Sequence, residues 1–587
     1  MDPIKVDFTG KGGNKKKEIV IPPERAAFKL IISIVGTLLI SAVIYYVMLP
    51  PMNPKAMEFY FFIGLVFATF IALSAVTTKA FAKPEYIPYL KKQSVVPGVA
   101  IGVLVLVVLA GLVVSSVVFR AKGYSRLMDP KPGKFTEEIE KQDAESYASI
   151  PRLDESAAAN LANKELGTLK DLGKVSQFTV YPLYTQINYQ GKPVRVSTLQ
   201  YASIIKWLTN RSEGLPGYII IDMANQTTEF KETKGMMYSP SEHFGRLLKR
   251  HLRFQYPGFI FAEPTFEIDE NGKPYWICAR LDKTIGLFGG TDVVGAVLVD
   301  PFDGSTAYHT IKELKEKPDL KWLDRIYSST LLVEQYDYFG KYRGGFWNSV
   351  LGQKEVQITT DGYNYVAKDD DVYLYTGVTS ITSDESIIGF ILINQRTKNA
   401  IFYSVEGTTE NSAMSAAEGK VKDKAYTASF PLLINVSNQP TYFMALKDNN
   451  QVNQNFAMVN VEQFNKIFVV GDSLEDCLTQ YLQAMKNVGI KVDIDVEDID
   501  ENNNGNGGTE DKTKTVTAVI EDIRTAVKAG ESVYYFKLAG KEVYYSIAAS
   551  KAEAAVILNK GDTVTFEFKA DDIEKSIIPL SSLKAGE

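Results

Sequence analysis

A chain of 587 residues with three histidines and two cysteines carries little material for the commonest site chemistries. His243, His251 and His309 are the only imidazoles, and no serine sits in the Gly-x-Ser-x-Gly elbow of a hydrolase. Cys278 and Cys477 cannot build a disulfide scaffold or a cysteine-rich zinc module, so two isolated buried thiols are expected. Carboxylates are the other candidates. Asp369, Asp370 and Asp371 precede the aromatic run VYLYTG, and Asp384 and Glu385 precede another strand-like run. Acid-base work needs two carboxylates in different environments facing one space, which consecutive turn aspartates do not provide. Asp500, Asn502 and Asn504, with Gly505 next and Asp511 at the twelfth position, fit the start of a calcium loop. Gly507 at the eighth position, Asp rather than Glu at the last, and the lack of flanking helices favour a plain acidic linker there. The glycine-rich stretch Ile285 to Gly295 lacks the Lys-Ser/Thr of a phosphate loop. It reads as a hairpin tip that could pack Phe288 on a partner.

Two groups of residues point to binding instead. Arg246, Lys249, Arg250 and Arg253 share one face at about 100° per residue if their segment is helical, and could hold an anionic polymer. A solvated face is the default for such a run. Between Tyr336 and Tyr375 aromatic residues are dense, and the stretch around YRGGFWN does not alternate, so its rings cannot all point inward. Tyr342, Arg343, Phe346, Trp347 and Asn348 are therefore the candidate contact surface. A net charge of −6 gives no electrostatic case for a nucleic-acid partner.

What must position these residues begins with a membrane anchor. Phe28 to Leu49, Phe59 to Thr77 and Val95 to Phe119 are charge-free after Lys29, and each is long enough to cross a hydrocarbon core of about 30 Å. Lys5, Lys11, Lys15, Lys16, Lys17 and Arg25 precede the first run, and Lys79, Lys83, Lys91 and Lys92 lie between the second and third. Only Lys55 lies in the first short loop, so positive-inside bias puts the N-terminus in the cytoplasm and the body outside. Arg120, Lys122 and Arg126 follow the third span and run against that bias. The expected organisation is a basic arm (1–27), a three-span α-helical anchor (28–120), a helical stalk (121–170) and an α+β ectodomain with antiparallel sheets (171–490). An acidic Asn/Gly linker (491–514) and a small β-barrel (515–587) complete it.

Within the ectodomain the sequence echoes itself. Glu263 to Asp282 (EPTFEIDENGKPYWICARLD) parallels Phe430 to Asp448 (FPLLINVSNQPTYFMALKD), and Gly389 to Ser404 parallels the stretch beginning GAVLVDPFDG at Gly295. A helical run, SEHFGRLLKRHLR, precedes the first copy. Helix, GKPYW, and an apolar strand ending in Val299-Asp300-Pro301-Phe302-Asp303-Gly304 resemble the PepSY type of extracytoplasmic domain. That resemblance implies an envelope-exposed binding or regulatory module, and it carries no site residue over. From Thr515 the order strand, strand, strand, short helix, Lys560-Gly561-Asp562, strand is similar to the OB type of small barrel. The expectation is a plasma-membrane protein of bacterial type whose ectodomain binds a protein or envelope polymer, without a cofactor unless calcium fills the linker. The alternatives are a carboxylate-dependent hydrolase and an accessory subunit of a transport system. Spans free of charged residues weaken the last.

Overall fold

The computed structural model describes residues 20–142, 147, 150–168, 176–382 and 385–493, and beyond them 513–528, 531–539, 541, 543–549, 552–569, 577–580 and 583–585. The chain divides into two compact units, Met1–Ile499 and Asp500–Glu587.

The first unit opens with α1 (Ala26–Met48), α2 (Met57–Thr78) and α3 (Ile87–Ser115). These three helices are long and apolar enough to cross a membrane, which makes the chain a multi-pass membrane protein with a large β-rich domain. Their burial is the reverse of a soluble bundle. Ser33, Thr37 and Ser41, one turn apart on α1, are buried, while Leu38 and Leu39 are exposed. Small polar residues let helices approach closely where lipid supplies the apolar surroundings. Ser33 meets Thr77 across the α1–α2 contact at 2.8 Å, and a Cβ at Gly36 would lie 3.0 Å from Leu73. The third helix differs from the expected Val95–Phe119 span. It starts at Ile87, taking in Lys91 and Lys92, and stops at Ser115. Ser116 is extended and its hydroxyl accepts from Val118, which starts a separate helix, α4 (Val117–Tyr124).

Four antiparallel sheets follow, all with one plan: two short strands pair in turn with one long strand, which pairs with a fourth, which pairs with a fifth. In the first sheet the strands are Phe178–Val180, Thr185–Tyr189, Lys192–Tyr201, Leu215–Asp222 and Thr227–Met236. In the second they are Ile260–Phe261, Thr265–Ile268, Pro274–Ile285, Gly289–Val299 and Thr306–Thr310. The third has Gln357–Thr359, Asn364–Lys368, Asp371–Ser380, Gly389–Asn394 and Ala400–Tyr403. The fourth has Thr427–Ala428, Leu432–Val436, Gln439–Lys447, Asn453–Asn460 and Phe468–Gly471. A helix precedes each sheet: Glu155–Thr168, Leu248–Gln255, Ser329–Tyr342 and Glu410–Lys420. The hairpin between second and third strands turns on Gln190-Gly191, Asp369-Asp370 and Ser437-Asn438, each pair with positive φ, as two-residue hairpins of matching twist require. The echoed segments of the sequence occupy equivalent places in this plan.

Alternation along the strands builds the stack. Trp276, Cys278, Val297 and Val299 of the second sheet join the core of the first. Their neighbours Ile277, Ala279, Ala296 and Leu298 join Leu374, Val378, Ile391 and Ile393 of the third. The opposite face of the third sheet, with Tyr375, Phe390 and Leu392, meets Tyr442, Met444 and Val459 of the fourth. The fourth turns Phe443, Ala445 and Met458 to the helix Leu474–Asn487. Middle sheets buried on both faces read as continuous apolar runs such as GAVLV and GFILIN.

The segment expected as a helical stalk is part of this body. Lys131–Gly133 pairs in parallel with Ile401–Tyr403, and Phe135 and Ile139 enter the core between the third and fourth sheets. The helix Glu155–Thr168 buries Ala157, Ala158, Ala162 and Leu166 on the first sheet. Its alanines are a packing face on that sheet, so this part of the expected stalk is a helix of the body.

The second unit is a sheet whose strands run Ile577–Pro579, Tyr544–Ala548, Glu531–Leu538, Thr513–Lys528, Thr563–Lys569 and Lys584–Ala585 in spatial order. The long strand Thr513–Lys528 pairs with both of its neighbours and bulges between Ile520 and Asp522. Ile520, Phe536, Tyr545, Ile547, Val564 and Phe566 form its core. Among the described residues it is a six-stranded sheet with no pairing between its two outer strands, where a small closed barrel was expected.

Candidate functional site

The aromatic candidates occupy a projecting tip. The helix Ser329–Tyr342 ends at Arg343, and Gly345, at φ 87°, turns the chain into a short π-helical turn, Asn348–Gly352. Ring contacts run in sequence from α4: Tyr124 to Tyr338 at 4.8 Å, Tyr338 to Tyr342 at 6.0 Å, Tyr342 to Phe346 at 6.5 Å and Phe346 to Trp347 at 5.4 Å. Trp347 at the end of this ladder is 67% exposed, and Leu351 beside it 76%. Arg343 donates to the Glu355 carbonyl at 2.8 Å, and Asn348 donates to the Lys354 carbonyl at 2.9 Å and accepts from the Lys354 N–H. Those two residues thus hold the loop, and Trp347 is what it presents. Val350 and Leu351 belong to the same exposed surface. Nothing in the sequence marks them, because an apolar pair in VLG looks like core.

The basic candidates do not form one face. Leu247 is non-helical, so a short 3-10 turn, Phe244–Arg246, precedes the helix Leu248–Gln255. Arg253 is buried and donates to the carbonyls of Leu49 at 3.0 Å, Pro257 at 3.1 Å and Phe259 at 2.6 Å. Arg250 donates to the carbonyls of Tyr46 and Phe244 and lies 4.0 Å from the centre of the Tyr46 ring. Arg246 donates to the Arg211 carbonyl at 2.7 Å. Two guanidiniums thus serve the last carbonyls of α1, where a helix C-terminus favours positive charge. Lys249 alone of the four is exposed.

The glycine-rich hairpin tip is part of the same junction. Ser115 Oγ, at the end of α3, accepts the N–H groups of Leu287 at 2.9 Å and Phe288 at 3.0 Å. The Phe288 ring packs edge-on to Tyr60 of α2 at 5.7 Å, and a Cβ at Gly111 would come 2.5 Å from it. Phe288 therefore packs on this chain's own membrane helices, not on a partner. Lys55 of the first short loop completes the contact by pairing with Asp282 at 2.8 Å.

The carboxylates do not face one another as a catalytic pair. Asp369 and Asp370 are the two turn residues; Asp369 pairs with Lys368, and Asp370 accepts from Asn188 Nδ2 at 2.8 Å. Asp371 is buried and takes two hydrogen bonds from Arg396, at 2.7 and 2.6 Å. Glu385 is exposed. Asp384 lies outside the described residues, as do Asp500, Asn502, Asn504 and Asp511. Among the described residues no group of three His, Cys, Asp or Glu side chains could hold a metal. Cys278 and Cys477 are free, buried thiols in separate cores.

A different pair of acids was missed by sequence reasoning. Glu267, fully buried, accepts the N–H groups of Asp324 at 2.9 Å and Arg325 at 3.1 Å. Asp324 in turn accepts the Asn188 N–H at 2.6 Å. Burial pushes the Glu267 carboxyl up to about 7, and burial with the neighbouring Glu267 pushes Asp324 well above its usual range. This is a brace between the first sheet, the second sheet and the connection to the third. Both Glu267 oxygens and one Asp324 oxygen accept from main-chain N–H groups. Alternation in the strand TFEI puts Glu267 opposite Phe266 and Ile268, on the side a half-buried strand would show to water, so the sequence did not mark it.

No protein-family model and no curated protein matches this chain.

Proposed function

We propose that the body faces the outside of a plasma membrane and binds a protein or cell-envelope polymer through the tip formed by Phe346, Trp347, Val350 and Leu351. The observation that carries this reading is the exposure of a Trp and a Leu at the end of a rigid ladder of rings. A large aromatic that costs little conformational entropy to fix is the usual energetic centre of a contact surface. Hydrogen bonds from Arg343 and Asn348 brace the surrounding loop.

The outward orientation is supported by the docking of the first short loop. Met52 donates to the Pro257 carbonyl at 2.7 Å, and Asn53 donates to that of Gly258 at 2.9 Å, so this loop and the body share one side of the three crossings. The lysine-rich arm and second loop belong to the other side, the cytoplasmic one under positive-inside bias. In this reading the four helix-plus-sheet modules are PepSY-like, and the C-terminal sheet, whose long strand Thr513–Lys528 pairs on both edges, is OB-like. Neither brings an enzymatic role with it.

A photo-crosslinking residue placed at Trp347 or Leu351 in intact cells tests this. Discrete adducts with one protein or wall polymer at both positions, and none at exposed Asn449, would support the reading. Adducts with lipid alone, or none, would contradict it.

A further inference from the structure

We infer that a second exposed apolar surface, formed by the helix Ile204–Asn210 and Phe244, rests in the headgroup layer of the bilayer that α1–α3 cross. This seven-residue helix turns the wrong way for a water-soluble element. Trp207 and Asn210 face the body, whereas Ile204, Ile205 and Leu208 face out, with Ile205 67% exposed. Phe244, 62% exposed, packs against Trp207 with ring centres 5.8 Å apart and extends the patch. Four large apolar side chains on one small surface are not explained by the packing of the body.

What covers them follows from their connection to the anchor. The Phe244 carbonyl accepts from Arg250, whose other nitrogens donate to the carbonyl of Tyr46 in the last turn of α1. Phe254, also exposed, contacts Tyr45 at 6.0 Å and Tyr46 at 6.3 Å. The patch is thus one guanidinium away from tyrosines at the end of a membrane span, the level at which aromatic rings mark the interface. Glu242 keeps the helix in place, accepting from Trp207 Nε1 at 2.7 Å and Tyr201 Oη at 2.7 Å. Arg211 and Lys249, both exposed, flank the apolar residues. An apolar face rimmed by basic residues is the composition of segments that lie in an interface and meet anionic headgroups. The first sheet would then be held against the membrane by its own contact, in addition to the docking of the second sheet on α1–α3.

The test uses the full-length protein in nanodiscs of phosphatidylglycerol and phosphatidylcholine. Cys278 and Cys477 stay in place, since both are buried. Single cysteines, Ile205→Cys, Leu208→Cys and, as control, Asn449→Cys, carry an environment-sensitive fluorophore, and lipids carry a nitroxide at a shallow or a deep position. Two sites on the patch guard against one substitution disturbing the helix. The expected result is loss of emission at 205 and 208, greater with the shallow nitroxide than with the deep one, and no loss at 449. Emission at 205 and 208 that falls no more than at 449 would overturn the inference and leave the patch facing water or a protein partner.

Discussion

Glu267 accepts two successive main-chain N–H groups where water is excluded, and its carboxyl titrates at about 7 against an ordinary 4.5. The folded state therefore holds this proton more tightly than the unfolded chain does. Its contribution to stability is fully present below about 4.5 and is lost as pH rises to about 7. Asp324 shifts in the same direction. Lys447, against the burial that would raise it, holds Asp154 low, which works in the opposite sense. The useful readout is thus a difference between variant and parent. Glu267→Gln should flatten part of the fall in thermal stability between pH 4.5 and 7. It should also cost about 1–2 kcal/mol, because an amide keeps only one acceptor for two donors. Parallel pH profiles for the two proteins would show that Glu267 does not titrate in this way.

At the scale of elements, the hairpin between Ile285 and Gly290 is one of the pieces that join body to anchor. Gly286 has φ 63°, and a Cβ there would lie 2.5 Å from Ser115 Oγ and 2.9 Å from its Cα. Gly286→Ala meets both a disfavoured backbone and a fixed neighbour, and is expected to cost about 1–3 kcal/mol. Limited proteolysis of the detergent-solubilised protein should then cut after Lys283 faster than in the parent, and an unchanged rate would refute the docking. The elements that sequence made legible are those with a strong period. The spans stand out as charge-free runs, and the strands of the echoed copies as apolar-aromatic alternation. The runs KPVRVSTLQY and LPGYIIID are legible as strands from their Val, Ile and Tyr content, but not as copies of the common plan, because they share length and direction with the others and no residue pattern. The Arg246–Arg253 face misled because periodicity assumes an unbroken helix, which Leu247 interrupts. At the tip, Trp347 was legible from composition, whereas Leu351 was exposed only by a π-helical turn that no local signal marks.

For the whole molecule, four sheets stacked in chain order place their apolar faces against each other, and the second of them docks on the membrane helices. Arg253, Lys55 and Ser115 tie that sheet to the ends of α1, α2 and α3, so the first loop, the end of α3 and the body lie on one side of the membrane. Which side that is decides every candidate partner. The direct measurement is labelling of intact cells with an impermeant thiol reagent, using single cysteines at Ser156, Ser305 and Ser532 beside the buried Cys278 and Cys477. The account predicts that all three positions label before the cells are opened. Labelling only after the membrane is breached would place the body in the cytoplasm and contradict an envelope-binding role.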